Sequence, residues 1–242
     1  LKGLGMVLIA LFLCVVVLSA WFAVQGSGQK MRQEVGESLR TVLQTTREAM
    51  RIWVDGKKND LTMISGNPEL GSLTKKLLSV PRNPDDLLGS WQLVAVRDEL
   101  SKEKEKLGDT GFFIIAPDGT SIASMRDENV GTANLIHKQR KALLDRVFRG
   151  ETVLVPPIVS DVSLKTEGGK VVAKAPTMFF AAPIRDIAGK AVAVLTMRLD
   201  PSKDFTRITQ LGRIGQSGET YVFDNQARLI TESRFDDHLR QI

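Results

Sequence analysis

The chain has a single cysteine, Cys14, in 242 residues. No disulfide can form within it, and no Cys/Cys or Cys/His zinc spacing exists. Its two histidines, His137 and His238, stand far apart in sequence, and neither has a cysteine or a serine elbow to serve. Ile214-Gly215-Gln216-Ser217-Gly218 is not a nucleophile elbow, because Gly218 follows Ser217 directly. Gly212, Gly215 and Gly218 match neither the dinucleotide-binding nor the phosphate-loop spacing and read as a linker. There is no H-E-x-x-H, no acidic calcium loop and no N-x-S/T sequon. No catalytic residue, metal or cofactor is therefore expected, and this region is not expected to be an enzyme. Charge of one sign is also scarce: 33 basic against 28 acidic residues leave +5, too mild and too scattered for a nucleic-acid footprint.

Apolar residues are present at 43% and charged residues at 25%, an ordinary globular mixture. They are unevenly spread. From Leu4 to Val24 only Gly5 and Ser19 are not apolar, and nothing is charged. As a helix this run spans roughly 31 Å, close to a bilayer core. Trp21 and Phe22 stand at its far end, where aromatic side chains favour the membrane interface. A cleaved signal peptide is the alternative, but its apolar region is shorter, and Ser19-Ala20-Trp21 makes a poor cleavage site. Residues 1–26 are thus expected to be a membrane anchor. Lys2 before it and Lys30 and Arg32 after it leave its orientation open. The first residue is Leu rather than Met, so a fragment is expected.

Residues 27–65 read as one amphipathic stalk helix. Val35, Leu39, Val42, Leu43, Thr46, Met50, Trp53 and Val54 recur at three- and four-residue steps. The stripe can pack on its own domain or form a dimer seam, and Leu39, Leu43, Met50 and Trp53 are the seam residues expected in a homodimer. Asn67-Pro68 breaks the pattern. Short helices are expected over 69–80 and 86–106, the latter capped by Asp85 or Asp86 and ending in a solvated charge run.

The texture changes at Gly108. Phe112-Phe113-Ile114-Ile115 reads as a strand, Asp118-Gly119 as a hairpin turn and 120–125 as the returning strand. A helix over 133–148 follows, then strands at 151–160, 177–184 and 190–199. Thr166-Glu167-Gly168-Gly169-Lys170 is a polar turn between the first two of these. This order predicts an α+β domain with one antiparallel five-stranded sheet and helices on one face, and argues against a doubly wound α/β sheet, since too few helices separate the strands.

The chain also resembles itself at an offset of 108 residues. Phe113-Ile114-Ile115 matches Tyr221-Val222-Phe223, Asp118-Gly119 matches Gln226-Ala227, Ile122 matches Ile230 and Arg126 matches Arg234. A second copy of the module therefore begins near Gly218 and has little room before Ile242, so a continuation beyond residue 242 is expected. The expected layout is an anchor over 1–26, a stalk and helical region over 27–107, a membrane-distal module over 108–201, and a linker with the start of a second module over 202–242.

With Gly111-Phe112-Phe113-Ile114-Ile115-Ala116-Pro117-Asp118-Gly119, Pro176-Thr177-Met178-Phe179-Phe180-Ala181-Ala182-Pro183-Ile184 and Gly218-Glu219-Thr220-Tyr221-Val222-Phe223-Asp224, the chain resembles the extracytoplasmic part of a double Cache receptor. The resemblance covers the whole layout through loose motifs. It implies two tandem PAS-like modules after a transmembrane and a stalk helix, with a second transmembrane helix leading to a cytoplasmic output. Outputs in that family include histidine kinases, chemotaxis transducers, nucleotide cyclases and protein kinases. It also implies that the membrane-distal module binds a small molecule between its sheet and the segments covering it. Amino-acid-sensing members carry a tyrosine, arginine and tryptophan cluster before the middle strands. This chain lacks it, and its one tyrosine is Tyr221.

The candidate ligand residues are Arg126, Asp127, Asp161 and Phe179. Arg126 and Asp127 end the second strand, where a guanidinium can clamp a carboxylate or the two can form a surface pair. Asp161, after Ser160, can accept a ligand ammonium or simply turn the loop. Phe179 lies on a strand whose successive side chains alternate between faces, so it lines a pocket or packs in the core. The expected role is ligand sensing by a membrane-bound receptor in the bacterial inner membrane, with the bulk of the chain periplasmic or extracellular. The partners expected are a small molecule, the membrane and a second copy of the chain, with no nucleic acid. The rivals are a tethered enzyme or scaffold whose active part lies beyond residue 242, and a secreted binding protein.

Overall fold

The computed structural model describes residues 2–103, 105, 111–165, 171–173, 175–201, 205–210, 212, 218–223, 227, 229, 231 and 233, with the side chains of 2–10, 23–26, 29, 164–165 and 171–172 left aside. The expected turn at 166–170, the end of the charge run and Gly215, Gln226, Ile230, Arg234 and His238 lie outside the described residues.

One helix, α1 (Lys2–Ser65), runs through both the apolar run and the expected stalk. Leu11, Phe12, Leu13, Val15, Val16, Val17, Leu18, Trp21 and Phe22 are all exposed. Among the described residues no helix is long and apolar enough to cross a membrane; the apolar run continues into positions 1–10 and 23–26, which those side chains do not include.

The stripe on α1 divides. Val35, Leu39 and Leu43 are exposed. From Thr46 onward the helix meets its own domain: Met50, Trp53 and Val54 pack against the core, and Leu61 and Ile64 are buried in it. Half of the expected seam, Met50 and Trp53, is therefore taken up within the chain.

Helix α2 (Pro68–Leu77) starts where Asn67 breaks α1, because the Asn67 side chain accepts a hydrogen bond from the Glu69 N–H at 2.9 Å. The helix expected over 86–106 is two helices. Asn83, rather than Asp85 or Asp86, caps α3 (Pro84–Leu88). Ser90 then accepts from the Leu93 N–H and starts α4 (Trp91–Ser101). Proline at the first helical position and a short polar cap after Gly89 make this corner.

The sheet is antiparallel and five-stranded, in the order β2 (Ser121–Ser124), β1 (Phe112–Ile115), β7 (Ala191–Leu199), β6 (Pro176–Arg185) and β3 (Val153–Val159). A small ribbon, β4 (Leu164–Lys165) with β5 (Val171–Val172), leaves the main sheet between β3 and β6. Helices cover both faces rather than one. On the first face Ile114, Met178, Phe180, Ala182, Leu195, Met197 and Leu199 join the buried side chains of α1, α2 and α4 in one core. Trp53 of α1 stands edge-on to Phe180 with ring centroids 5.7 Å apart. On the second face Phe113, Ile115, Val153, Val155, Phe179, Ala181 and Val194 pack against Leu135, Ile136, Leu144 and Val147 of α5 (Leu135–Phe148). The unbroken apolar run Met178-Phe179-Phe180-Ala181-Ala182 has this cause: a strand buried on both faces does not alternate.

The first hairpin turns at Ala116–Thr120, where the Ala116 N–H donates to the Thr120 carbonyl at 2.8 Å. Gly119 has φ +87°, and a Cβ there would lie 2.3 Å from the His137 ring. His137 thus packs on the turn, which is its visible role. The pairing Ile115 with Ser121 recurs as the bridge Phe223 with Leu229, each residue 108 positions on. Ala227, 108 after Gly119, also has positive φ, +58°. Helix α6 (Thr206–Gln210) precedes this stretch, and Phe205 beside it packs edge-on to Trp53 at 6.4 Å.

Candidate ligand site

Antiparallel pairing brings the starts of β1 and β6 together with the ends of β2, β3 and β7 at one end of the sheet. Register then decides which side chains meet. Phe179 pairs with Arg198, and the Arg198 N–H donates to the Gly111 carbonyl at 2.9 Å, so these positions form one row across the sheet. Phe113 pairs with both Thr196 and Ser124 in the adjacent row. With a two-residue period, Arg198, Thr196, Phe179, Thr177 and Phe113 all face the α5 side.

Arg198 is the centre of this end. It is 5% exposed, and its guanidinium carbon lies 5.5 Å from the centroid of the Phe179 ring. Its Nε donates to the Thr177 hydroxyl at 3.1 Å and one terminal nitrogen to the Ser160 hydroxyl at 3.4 Å. Both hydroxyl-bearing residues are buried. Aromatic face and hydroxyls together hold the planar group in one orientation. Burial, and then the like charge of Arg126, push Arg198 down to about 10, against an opposing pull from Asp161. It remains a cation at neutral pH.

A small cleft, partly open to solvent, lies beside it, lined by Gly111, Phe112, Phe113, Ser124, Met125, Arg126, Asn129 and Arg198. Its wall combines two buried aromatic side chains, two neutral polar side chains and two guanidiniums. Arg126 stands at the exposed rim and Arg198 at the buried wall. The rim is held from below by Arg97 of α4, whose Nε donates to the Ser124 carbonyl at 2.9 Å and whose terminal nitrogen pairs with Asp127 at 2.7 Å. On the far side the Gln139 side chain of α5 bonds both the N–H and the carbonyl of Val159, fixing the end of β3 that leads to Ser160.

The four residues singled out from the sequence separate here. Arg126 lines the cleft, Phe179 underlies Arg198, and Asp161 is exposed at the end of β3 within electrostatic reach of Arg198. Asp127 is held instead by Arg97. Arg198, Thr177 and Ser160 complete the group. A signal for Arg198 did exist: it is the one charged residue in the strand Ala-Val-Ala-Val-Leu-Thr-Met-Arg-Leu, and a charge in a strand buried on both sides needs partners.

No protein-family model matches the chain, and no curated protein does. Solved structures are similar. The ligand-binding domain of the Pseudomonas fluorescens chemoreceptor CtaA, in complex with L-isoleucine, aligns at 11% identity over 84% of this chain and 71% of its own, with a TM-score of 0.51. That of the Campylobacter jejuni chemoreceptor Tlp3, in complex with 4-methylisoleucine, aligns at 12% identity over 81% of this chain and 69% of its own, with a TM-score of 0.50. The chain has the fold of a chemoreceptor ligand-binding domain. The Vibrio cholerae histidine kinase DctB sensor domain is also similar, at 16% identity and a TM-score of 0.48, and the chain spans 58% of that domain's length. The resemblance to Cache sensor regions read from the sequence thus holds at the level of the fold. Within this sensor fold the cleft lies on the α5 face of the sheet, opposite the long helix.

Proposed function

We propose that the chain is the extracytoplasmic ligand-sensing region of a membrane-bound signal-transduction receptor, and that the cleft beside Arg198 holds its small-molecule ligand. The observation that carries this reading is the buried guanidinium, oriented by Phe179, Thr177 and Ser160 at the wall of a cleft open to solvent. A buried cation is costly to maintain, and clefts lined by such groups are where ligands are recognised. The chemoreceptor neighbours carry isoleucine or a relative of it, which supports a small organic ligand. No catalytic step is assigned to this region.

The reading places the apolar run of α1 in the bacterial inner membrane and the sheet in the periplasm or outside the cell. Its support is the all-round apolar surface of 11–18, exposed among the described residues. Leu39 and Leu43, 53% and 61% exposed, support a homodimer through the stalk. The recurrence of the hairpin at an offset of 108 supports a second PAS-like module. Ligand binding then shifts the balance between two arrangements of sheet and stalk by no more than its differential affinity for them.

A thermal-shift screen of the purified chain against organic acids, amino acids, amines and purines tests the sensing role. A ligand at one hundred times its dissociation constant adds about 2.7 kcal/mol. A shift with one chemical class, lost in Arg126→Ala, is the expected result. A flat response to every class overturns it.

A further inference from the structure

Resting on the sensing role of the cleft, we infer that helix α4 links it to the stalk: Arg97 ties α4 to the loop that walls the cleft, Glu99 ties it to Asn67 at the end of α1, and the two ends respond together.

Residues 125–134 join β2 to α5, and Met125, Arg126 and Asn129 from this loop line the cleft. The helical layer grips the same stretch at two points. Arg97 of α4 donates from Nε to the Ser124 carbonyl at 2.9 Å and from a terminal nitrogen to Asp127 at 2.7 Å. Gly131, with φ +75°, lies so close to the start of α3 that a Cβ there would stand 2.5 Å from the Pro84 nitrogen. A ligand that displaces the loop must carry α3 and α4 with it or break the charge-assisted bonds of Arg97.

The opposite tie is as specific. Residues two apart on a helix point about 200° apart, so Arg97 and Glu99 reach to different sides of α4. One Glu99 oxygen accepts from the Asn67 Nδ2 at 2.9 Å, and the other pairs with Lys102. Three helices meet at Asn67. Its Oδ1 accepts from the Glu69 N–H and caps α2, while its own N–H donates to the Ile64 carbonyl in the last turn of α1 at 3.2 Å. Between the two ties, Leu93, Val96 and Leu100 of α4 share one core with Leu61 and Ile64 of α1. A packed core of this kind moves between discrete arrangements rather than deforming smoothly. A shift of α4 therefore reaches the α1–α2 junction.

Hydrogen exchange of the purified chain, read by mass spectrometry, reports local opening at each end. At the junction the reporters are the amides of Gly66, Asn67 and Gly71, and in the loop those of Asn129, Val130 and Gly131, all hydrogen-bonded to backbone carbonyls. Arg97→Gln and the milder Asp127→Asn, at an exposed position, cut the cleft-side tie. Glu99→Ala cuts the stalk-side tie and leaves the Asn67 cap on α2. Each cleft-side variant should speed exchange at the junction about threefold or more, and Glu99→Ala should do the same in the loop. Arg97→Gln combined with Glu99→Ala should add nothing at the junction beyond the larger single effect, whereas general loosening adds. Amides of β6 and β7 should keep their rates, and Arg146→Gln, which cuts the exposed pair with Glu151 on α5, should move neither end. Changes confined to the mutated end, additive effects, or equal changes in β6 and β7 overturn the link. A ligand that raises stability without coupled exchange in these variants overturns the link and leaves the sensing role. Coupled exchange with a flat ligand screen overturns the sensing role and leaves the link.

Discussion

The two faces of the sheet are built from the same strands and behave differently. The face toward α1 is apolar from end to end: Met178, Phe180, Ala182, Leu195, Met197 and Leu199 alternate with nothing charged and close onto Trp53 and Phe205. The face toward α5 begins the same way, with Ile115, Ala181 and Val194, and then runs into Thr196, Thr177 and Arg198. One face is a structural core and the other changes along its length from core to a buried cation beside a cleft. Adjacent residues of one strand therefore serve different ends: Phe180 anchors the long helix while Phe179 carries a cation.

The largest expected effect is on the α1 face. Phe180→Ala removes a fully buried ring at the contact with Trp53 and should cost about 3–5 kcal/mol. Denaturant unfolding measures it, and a loss below about 1 kcal/mol would break the contrast between the faces. Next, Gly119→Ala places a Cβ against His137 at φ +87° and should cost about 1–3 kcal/mol. The same assay should show that Gly189→Ala, with positive φ but open space around it, costs less. On the site face, Arg198→Met should change stability by less than about 2 kcal/mol in either direction, since an apolar side chain replaces a buried charge. It should nevertheless abolish the thermal response to ligand. Retention of that response would move the site elsewhere.

A smaller effect checks the turn that belongs to neither face. Burial raises the Asp118 carboxyl, but the Thr120 N–H and hydroxyl and the Arg82 guanidinium outweigh it and hold it below its ordinary value. A depressed carboxyl stabilises the fold above its ordinary pKa and loses that contribution as the pH falls through the folded value. Asp118→Asn should therefore cost at most about 0.5–1 kcal/mol near neutral pH, because solvent screens the half-exposed pair. The difference from the parent should shrink to nothing as the pH drops below 3.8. The smallest effect belongs to the upper stalk. Leu39→Ser should leave the stability of the sheet domain within about 0.5 kcal/mol, yet weaken self-association measured by sedimentation if the exposed stripe is the seam.

Much of the fold was legible because its signals are local. Four of the five main strands are largely apolar runs between turn residues, β2 is the return of a hairpin, and each falls within one or two positions of its expected bounds. Asn67-Pro68 ended the stalk helix as anticipated. The corner at Gly89-Ser90 was less visible, since nothing in the surrounding pattern separates a continuous helix from two capped ones. The second covered face was signalled by the run around Phe179, but helices were expected on one face of the sheet only. Of the residues singled out from strand ends and the middle strand, Arg126 borders the cleft, Phe179 underlies Arg198 and Asp161 stands exposed beyond β3. Asp127 pairs with Arg97 of α4, a contact that the sequence does not reveal.

The amino-acid sequence by itself determined the apolar run at the start of α1, the three-and-four stripe that follows, the succession of strands along the chain and the hairpin repeated after 108 positions. Those features depend on the period of the backbone and on turn chemistry within a few residues. Only the tertiary structure decided that α5 closes the second face, that Arg198 lies over Phe179, and that Gly111, Arg126, Ser160 and Thr177 gather around it. These residues are scattered from Gly111 to Arg198 along the chain. They meet because antiparallel register brings the ends of separate strands together, and register is settled by which side chains can be buried on each face.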